Sequence, residues 1–315
     1  MNKRELFFSA VRGEKLDRPV VTAWVHFLSD HLGGEQTAEL HRSFVETYDW
    51  DVVKVMNDYR PPVSAGLETL EDPASFKEFK YLGLDEFCFA EQLKCLKTLR
   101  EKLGPDIALM DTCFDPYQQI LRGVGFDQTE YMWKHKSQTI SALEIIADNT
   151  CRYIAAVKSQ GVEAIFLSIN SAIREGFPRG TGQEIYETFQ KPFELQLLNA
   201  AKGMIRVLHV HGTGLNIDRV LDYPCEVFSL SDRLPNNPSL AELRKITDKC
   251  LMGGINETKF QERSLPALAQ EIDDAFNQVG RNNFILSPGC TLPSFSPKRT
   301  LQFMRNYTRG NVSSS

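Results

Sequence analysis

The sequence predicts an α/β protein, a single (β/α)8 TIM barrel over residues 1–309 followed by a disordered tail at 310–315. Three observations carry that expectation. Eight short apolar runs alternate with stretches of helical character, the order of a parallel sheet built from βαβ units. At 315 residues with 42% hydrophobic residues the chain can bury one large core, and chains of this size are routinely one barrel. Polar side chains with chemistry to offer fall at or just past the C-terminal ends of the runs, where barrel enzymes build their sites.

The elements follow in order. Lys3 to Val11 reads as a helix stopped by Gly13, and Asp17-Arg18-Pro19 leads into the first strand, Val20 to Trp24. A helix from Thr37 to Tyr48 precedes strand two, Asp51 to Asp58, which Arg60-Pro61-Pro62 closes. Val63 to Lys102 is charged and helix-prone; Gly104-Pro105 then resets the chain before strand three, Ile107 to Asp111. Two helices fit between Asp127 and Gly161, the longer starting near Ser137, and strand four is Ala164 to Ser168. The loop 169–180 is long and rich in hydrogen-bonding groups, the profile of a functional loop. Thr181 and Glu184 then fit a capping box. Strand five begins at Ile205 and carries His209 and His211, and strand six is Glu226 to Leu230. Ser239 and Glu242 form a second capping box, for a helix to Lys249, before strand seven, Cys250 to Asn256. A helix from Ser264 to Val279 stops at Gly280. Strand eight, from Asn283 to Leu286, runs into Ser287-Pro288-Gly289-Cys290, and Ser296-Pro297 opens the last helix, Lys298 to Tyr307, as N-cap and first-turn proline.

The net charge of -5 with interspersed signs leaves no footprint for nucleic acid or an anionic membrane surface. No run approaches the ~18 apolar residues of a membrane span, and the first residues do not form a secretory signal, so a cytoplasmic, soluble enzyme with a small-molecule substrate is expected. Seven scattered cysteines without a C-x-x-C pair read as reduced thiols.

Among the strand-tip residues, His209 and His211 share a face of one extended segment, and Cys290 could join them if the tips meet. Two imidazoles and a thiolate are ligands that zinc prefers, and a set of three leaves a fourth position open for a substrate. Asp58, at the tip of strand two, is a candidate catalytic carboxylate, with His211 as a candidate proton donor. Tyr117, Ser168, Asn170, Arg174, Asp232 and Asn256 are candidate substrate contacts from their positions at tips and in loops.

The chain resembles the uroporphyrinogen decarboxylase superfamily over nearly its full length. "NKRELFFSAVRGEKLDRPVV" is similar to the family's first helix and strand, and "DVVKVMND", "LMGGIN" and "ILSPGCTLPSFSP" are similar to later strand tips. The resemblance implies the barrel fold and one of two activities: decarboxylation of the acetate arms of uroporphyrinogen, or zinc-dependent methyl transfer from a corrinoid to a thiol such as coenzyme M. Decarboxylases carry Trp-x-Met-Arg-Gln-Ala-Gly-Arg after strand one, with arginines that pair with substrate carboxylates. This segment reads Trp24 to His31 here, with Phe27 and His31 at the two arginine positions, although Asp58 falls on the decarboxylase's catalytic aspartate. The methyltransferase branch binds zinc through His-x-Cys-Gly and Pro-Gly-Cys-Gly; here these read His209-x-His211-Gly212 and Pro288-Gly289-Cys290-Thr291. Two ligands match and one Cys has become His, which leaves a zinc-competent set with a more electrophilic metal.

The expectation is therefore a zinc-dependent methyltransferase, with zinc on His209, His211 and Cys290 and a methylcorrinoid donor, free or on a corrinoid protein partner. The alternative is a metal-free decarboxylase or lyase acting on a smaller carboxylate through Asp58 and His211. A third class is a barrel that binds a tetrapyrrole or corrinoid without turnover.

Overall fold

The computed structural model describes residues 1–61, 73–125 and 127–310. Eight parallel strands form one sheet: β1 (Val20–Val21), β2 (Val52–Val55), β3 (Ala108–Phe114), β4 (Ala164–Ile169), β5 (Ile205–Val210), β6 (Val227–Leu230), β7 (Cys250–Ile255) and β8 (Phe284–Pro288). Their order is β1-β8-β7-β6-β5-β4-β3-β2. The remaining seam, between β1 and β2, is bridged by Asp51 N to Val21 O at 3.0 Å and Thr22 Oγ1 to Val52 O at 2.9 Å. The sheet is thus a (β/α)8 barrel, as its alternating pattern of runs predicts.

Helices α1 (Lys3–Val11), α2 (Gly34–Tyr48), α3 (Phe87–Leu103), α4 (Pro116–Val124), α5 (Thr129–Lys134) and α6 (Lys136–Ser159) precede β4. They are followed by α7 (Gln183–Ile185), α8 (Lys191–Ala200), α9 (Leu240–Ile246), α10 (Leu265–Val279) and α11 (Lys298–Thr308). Local chemistry sets several ends. Asn2 and Glu5 make a capping box on α1, Ser239 and Glu242 on α9, and Gly280 takes φ 76° past the end of α10, where glycine is favoured.

The pleat sorts side chains into two cores. Val20, Val52, Met110, Phe166, Val207 and Met252 belong to an inner cluster that fills the barrel, and Leu6, Phe7 and Ala10 of α1 join it to close the N-terminal end. The outward faces pack against the helices in a second cluster. Asp51, fully buried, ties the seam together by accepting from Arg18 at 2.7 Å and from Arg309 at 2.6 Å.

Several local expectations are corrected. Regular β1 covers only two residues, Val20 and Val21, because Ala23 and Trp24 pass beyond the ladder with β8. Thr181 does not cap a helix: its hydroxyl donates to Gln190 Oε1 at 2.9 Å, and Gly182 takes the N-cap position. A π-turn at Tyr186–Gln190 follows, next to Pro192, which has no N–H to continue the regular ladder. In the last helix Pro297 stands at the N-cap, and Ser296 instead donates to Pro293 O at 2.7 Å. Pro62, the first part of the helix-prone stretch (63–72), and the tail at 311–315 lie outside the described residues. Among the described residues no helix is long and apolar enough to cross a membrane.

Candidate metal centre at the barrel mouth

His209 points into the barrel because it shares parity with the inward-facing Val207 of β5, and its ring stacks on Phe166 of β4, 4.8 Å between centroids. Its register partners are Ser168 on one side and Ser229 on the other. The Ser229 hydroxyl lies 3.2 Å from His209 Nδ1. Two residues on, the His211 ring lies 5.7 Å from that of His209, just past the strand, where Gly212 turns the chain at φ 112°.

The turn after β8 brings Cys290 to the same place, its Sγ 3.5 Å from His211 Nδ1. One ligand atom each from His209, His211 and Cys290 all lie within 4.8 Å of one another, the one such group of three found among the described residues. Gly289 lets this turn pack closely, since a Cβ there would meet the Ser231 backbone at 2.4 Å.

The electrostatics suit a cation held by neutral imidazoles. Burial drives His209 well below its ordinary value, with help from His211 and Lys54; burial, with Arg179 and Arg122, brings His211 down to about 4. Both rings therefore keep their lone pairs at neutral pH. Burial, reinforced by Glu257, pushes the Cys290 thiol up to about 11, so thiolate in this apolar setting calls for a cation. Glu257 points the same way: Oε1 accepts from Ser231 at 2.6 Å, while buried Oε2 has no hydrogen-bond partner. The residues present fit zinc, since N, N and S donors at this spacing can close on a tetrahedral ion with movements of about 1 Å.

The other candidates separate by surroundings. Asp58 lies just past β2 and meets His26 Nδ1 at 2.6 Å and Ser29 N at 3.3 Å. Burial raises this carboxyl, but His26 and Ser29 outweigh burial and leave it below its ordinary value. Ser168 is buried beside His209, and Asn170, also buried, leaves its Oδ1 without a partner. Asn256 is engaged with Thr258 in its own turn. Arg174 is exposed and bonds Gly214 O at 3.0 Å. Tyr117 lies in the core, its hydroxyl 2.8 Å from Thr129 Oγ1, and Asp232 is buried against Gly254 N at 2.7 Å.

Three neighbours of the triad were not singled out from sequence: Lys54, Glu257 and Arg122. Lys54 is buried in the barrel, its Nζ 2.7 Å from Thr112 Oγ1 and 4.2 Å over the Phe166 ring. Burial lowers it to about 7, against the opposing effects of Cys290 and Asp111. A lysine inside the run Val52-Val53-Lys54-Val55 was the available signal.

An eight-stranded barrel with this constellation at its C-terminal mouth matches one family model, that of uroporphyrinogen decarboxylase (URO-D), over residues 2–310, and the chain belongs to that family. Among its relatives is the methylcobamide:CoM methyltransferase MtbA of Methanosarcina acetivorans, 22% identical over 245 residues, which span 76% of this chain and 68% of MtbA. A methyltransferase from Methanosarcina mazei shares the fold with a TM-score of 0.79 at 17% identity, covering 98% of each chain. A B12-independent methionine synthase from Shewanella sp. W3-18-1 superposes with a TM-score of 0.58 at 14% identity, covering 93% of this chain and 96% of the other.

Proposed function

We propose that this chain is a zinc-dependent methyltransferase that moves a methyl group from a methylated corrinoid, free or on a partner protein, to an acceptor thiol. The observation that carries the reading is the convergence of His209, His211 and Cys290, with ligand atoms within 4.8 Å of one another. Bound there, zinc would supply Lewis acidity that lowers the pKa of the acceptor thiol, so that thiolate is present at neutral pH. The chain's own residues prepare that chemistry. Burial keeps both imidazoles unprotonated. The Ser229 hydroxyl engages His209 Nδ1 and so favours Nε2 as the donor atom, while Phe166 holds the ring by stacking. Asp58, with His26, forms a polar wall from β2, and Ser168 and Asn170 supply substrate contacts next to His209.

The test is metal analysis of protein purified without chelator. About one equivalent of zinc, lost on Cys290→Ala, is expected. Less than about a tenth of an equivalent, unchanged in that variant, would remove the metal from the mechanism. A second reading, a metal-free decarboxylase or lyase on a smaller carboxylate, draws on the 2.6 Å contact of His26 and Asp58 and requires activity that persists in chelator.

A further inference from the structure

A cavity of about 370 Å³ opens at the tips of β2 and β3. Aromatic rings of Tyr59, Phe79, Phe89, Phe114 and Tyr153 line it, together with polar groups of Asn57, Thr112 and Arg122. None of the triad residues lines this cavity; Thr112 in its lining contacts Lys54 in the barrel interior.

Arg122 is the unusual member of the lining. Its guanidinium lies 3.8 Å over the Phe114 ring and has no hydrogen bond or ion pair among the described residues. Asp115 is the anion that acts on it, but this carboxyl is turned to Gln118, bonding its N at 2.8 Å and Nε2 at 3.3 Å. Glu78 and Lys80, also in the lining, lie 3.6 Å from each other and offset one another. Arg60 at the edge adds positive charge, so among the described residues the cavity presents a cation without an ion-pair partner, set among aromatic walls.

We propose that this cavity binds a carboxylate carried on an aromatic ring, with the acid group on the Arg122 guanidinium and the ring among the aromatic side chains. The planar fork of arginine matches a carboxylate, and a largely apolar pocket of this size with few fixed polar groups is the usual form of a small-molecule site. A small aliphatic acid would satisfy the arginine but leave the aromatic walls uncovered; a neutral aromatic would do the reverse. The inference rests on the proposed function only for the role of the bound acid as a substrate; the binding itself does not require zinc.

The experiment is calorimetric titration of the protein, both chelated and zinc-loaded, with phenylpropanoate, phenylpropanamide and butanoate. The expected result is that phenylpropanoate binds at least about tenfold more tightly than either of the others, the size of a charge-assisted hydrogen bond. Arg122→Gln removes the preference for acid over amide, and Arg122→Lys keeps part of it. The comparison of the three ligands on the unaltered protein needs no variant to fold. Equal binding of acid and amide, an acid preference that survives in a folded Arg122→Gln variant, or no binding of phenylpropanoate overturns the proposal. Loss of the zinc reading, with acid binding intact in chelated protein, leaves it standing.

Discussion

The Sγ of Cys290 lies 3.5 Å from Nδ1 of His211, although 79 residues separate them in the chain. Their strands are not neighbours, since β5 pairs with β4 and β6, and β8 with β7 and β1. The contact therefore spans the barrel mouth, and Gly289 lets the Cys290 turn pack closely on the Ser231 backbone. Substitutions behind the three candidate ligands should alter metal binding without altering the fold.

Ser229 is the first such position. Its hydroxyl, 3.2 Å from His209 Nδ1, holds the tautomer and angle of that ring. Ser229→Ala is expected to weaken zinc binding about 10- to 100-fold, as loss of a group that orients a ligand does elsewhere. Competition with a chromophoric chelator measures it, and an unchanged affinity would show that Ser229 does not position His209.

Gly289→Ala tests the packing of the Cys290 turn. The new methyl would stand 2.4 Å from Ser231 Cα and 2.9 Å from Glu257 Oε2, and backbone cannot yield as a flexible side chain does. A loss of about 1–3 kcal/mol is expected from overpacking, together with displacement of Cys290. Urea unfolding gives the first; a drop in bound zinc in the folded variant gives the second.

How much of this was legible in the sequence follows from what each pattern encodes. Strands β4 to β8 are buried on both faces, so they read as apolar runs, and His209, His211 and Cys290 stand out where those runs end. That β5 and β8 face each other across the mouth is a property of the closed barrel, which no local pattern contains. Lys54 escaped because a lone lysine in a run of valines reads as solvent-facing, whereas here the barrel interior holds it against Thr112 and Phe166. Arg122 escaped because it lies on α4, in the stretch between Asp111 and Asp127 where the sequence pattern assigned no element. The Thr181 box failed because the helix begins one residue later, with Gly182 at its N-cap, and the Thr181 hydroxyl donates instead to Gln190 on the π-turn.

Glu194 gives a pH dependence away from the triad. It is fully buried, its Oε2 accepting from Tyr223 OH at 2.7 Å and Ser171 Oγ at 2.9 Å, while Oε1 has no partner. Burial, reinforced by Asp115, holds its carboxyl above the ordinary value of 4.5. The folded state therefore binds this proton more tightly than the unfolded chain, so its contribution is fully present below pH 4.5 and declines as pH rises above it. Glu194→Gln keeps an acceptor for Tyr223 and cannot ionise. The melting temperature of the variant should gain on the unaltered protein as pH rises from the acid side through neutrality. A constant difference over that range would mean that Glu194 does not carry the dependence.

The last prediction concerns uroporphyrinogen, the substrate that the family's description names. The two positions where decarboxylases carry carboxylate-binding arginines have other work here. Phe27 packs edge-on against His41 at 4.7 Å and Phe44 at 5.9 Å, and His31 is exposed beside Asp30. Neither can pair with a carboxylate as a guanidinium fork does. Arg122 does not replace them, because one guanidinium within an aromatic cavity cannot answer the eight carboxylates of that tetrapyrrole. Acid groups entering the mouth would lose water without gaining partners, at a cost of about 1–3 kcal/mol or more each. No significant turnover of uroporphyrinogen is therefore expected, even with Asp58 at the tip of β2. Anaerobic incubation with the reduced tetrapyrrole, following loss of carboxylates, checks it. Coproporphyrinogen formed at about 0.1 per second or faster, within the lower range of ordinary enzymes, would overturn the prediction and favour the decarboxylase reading.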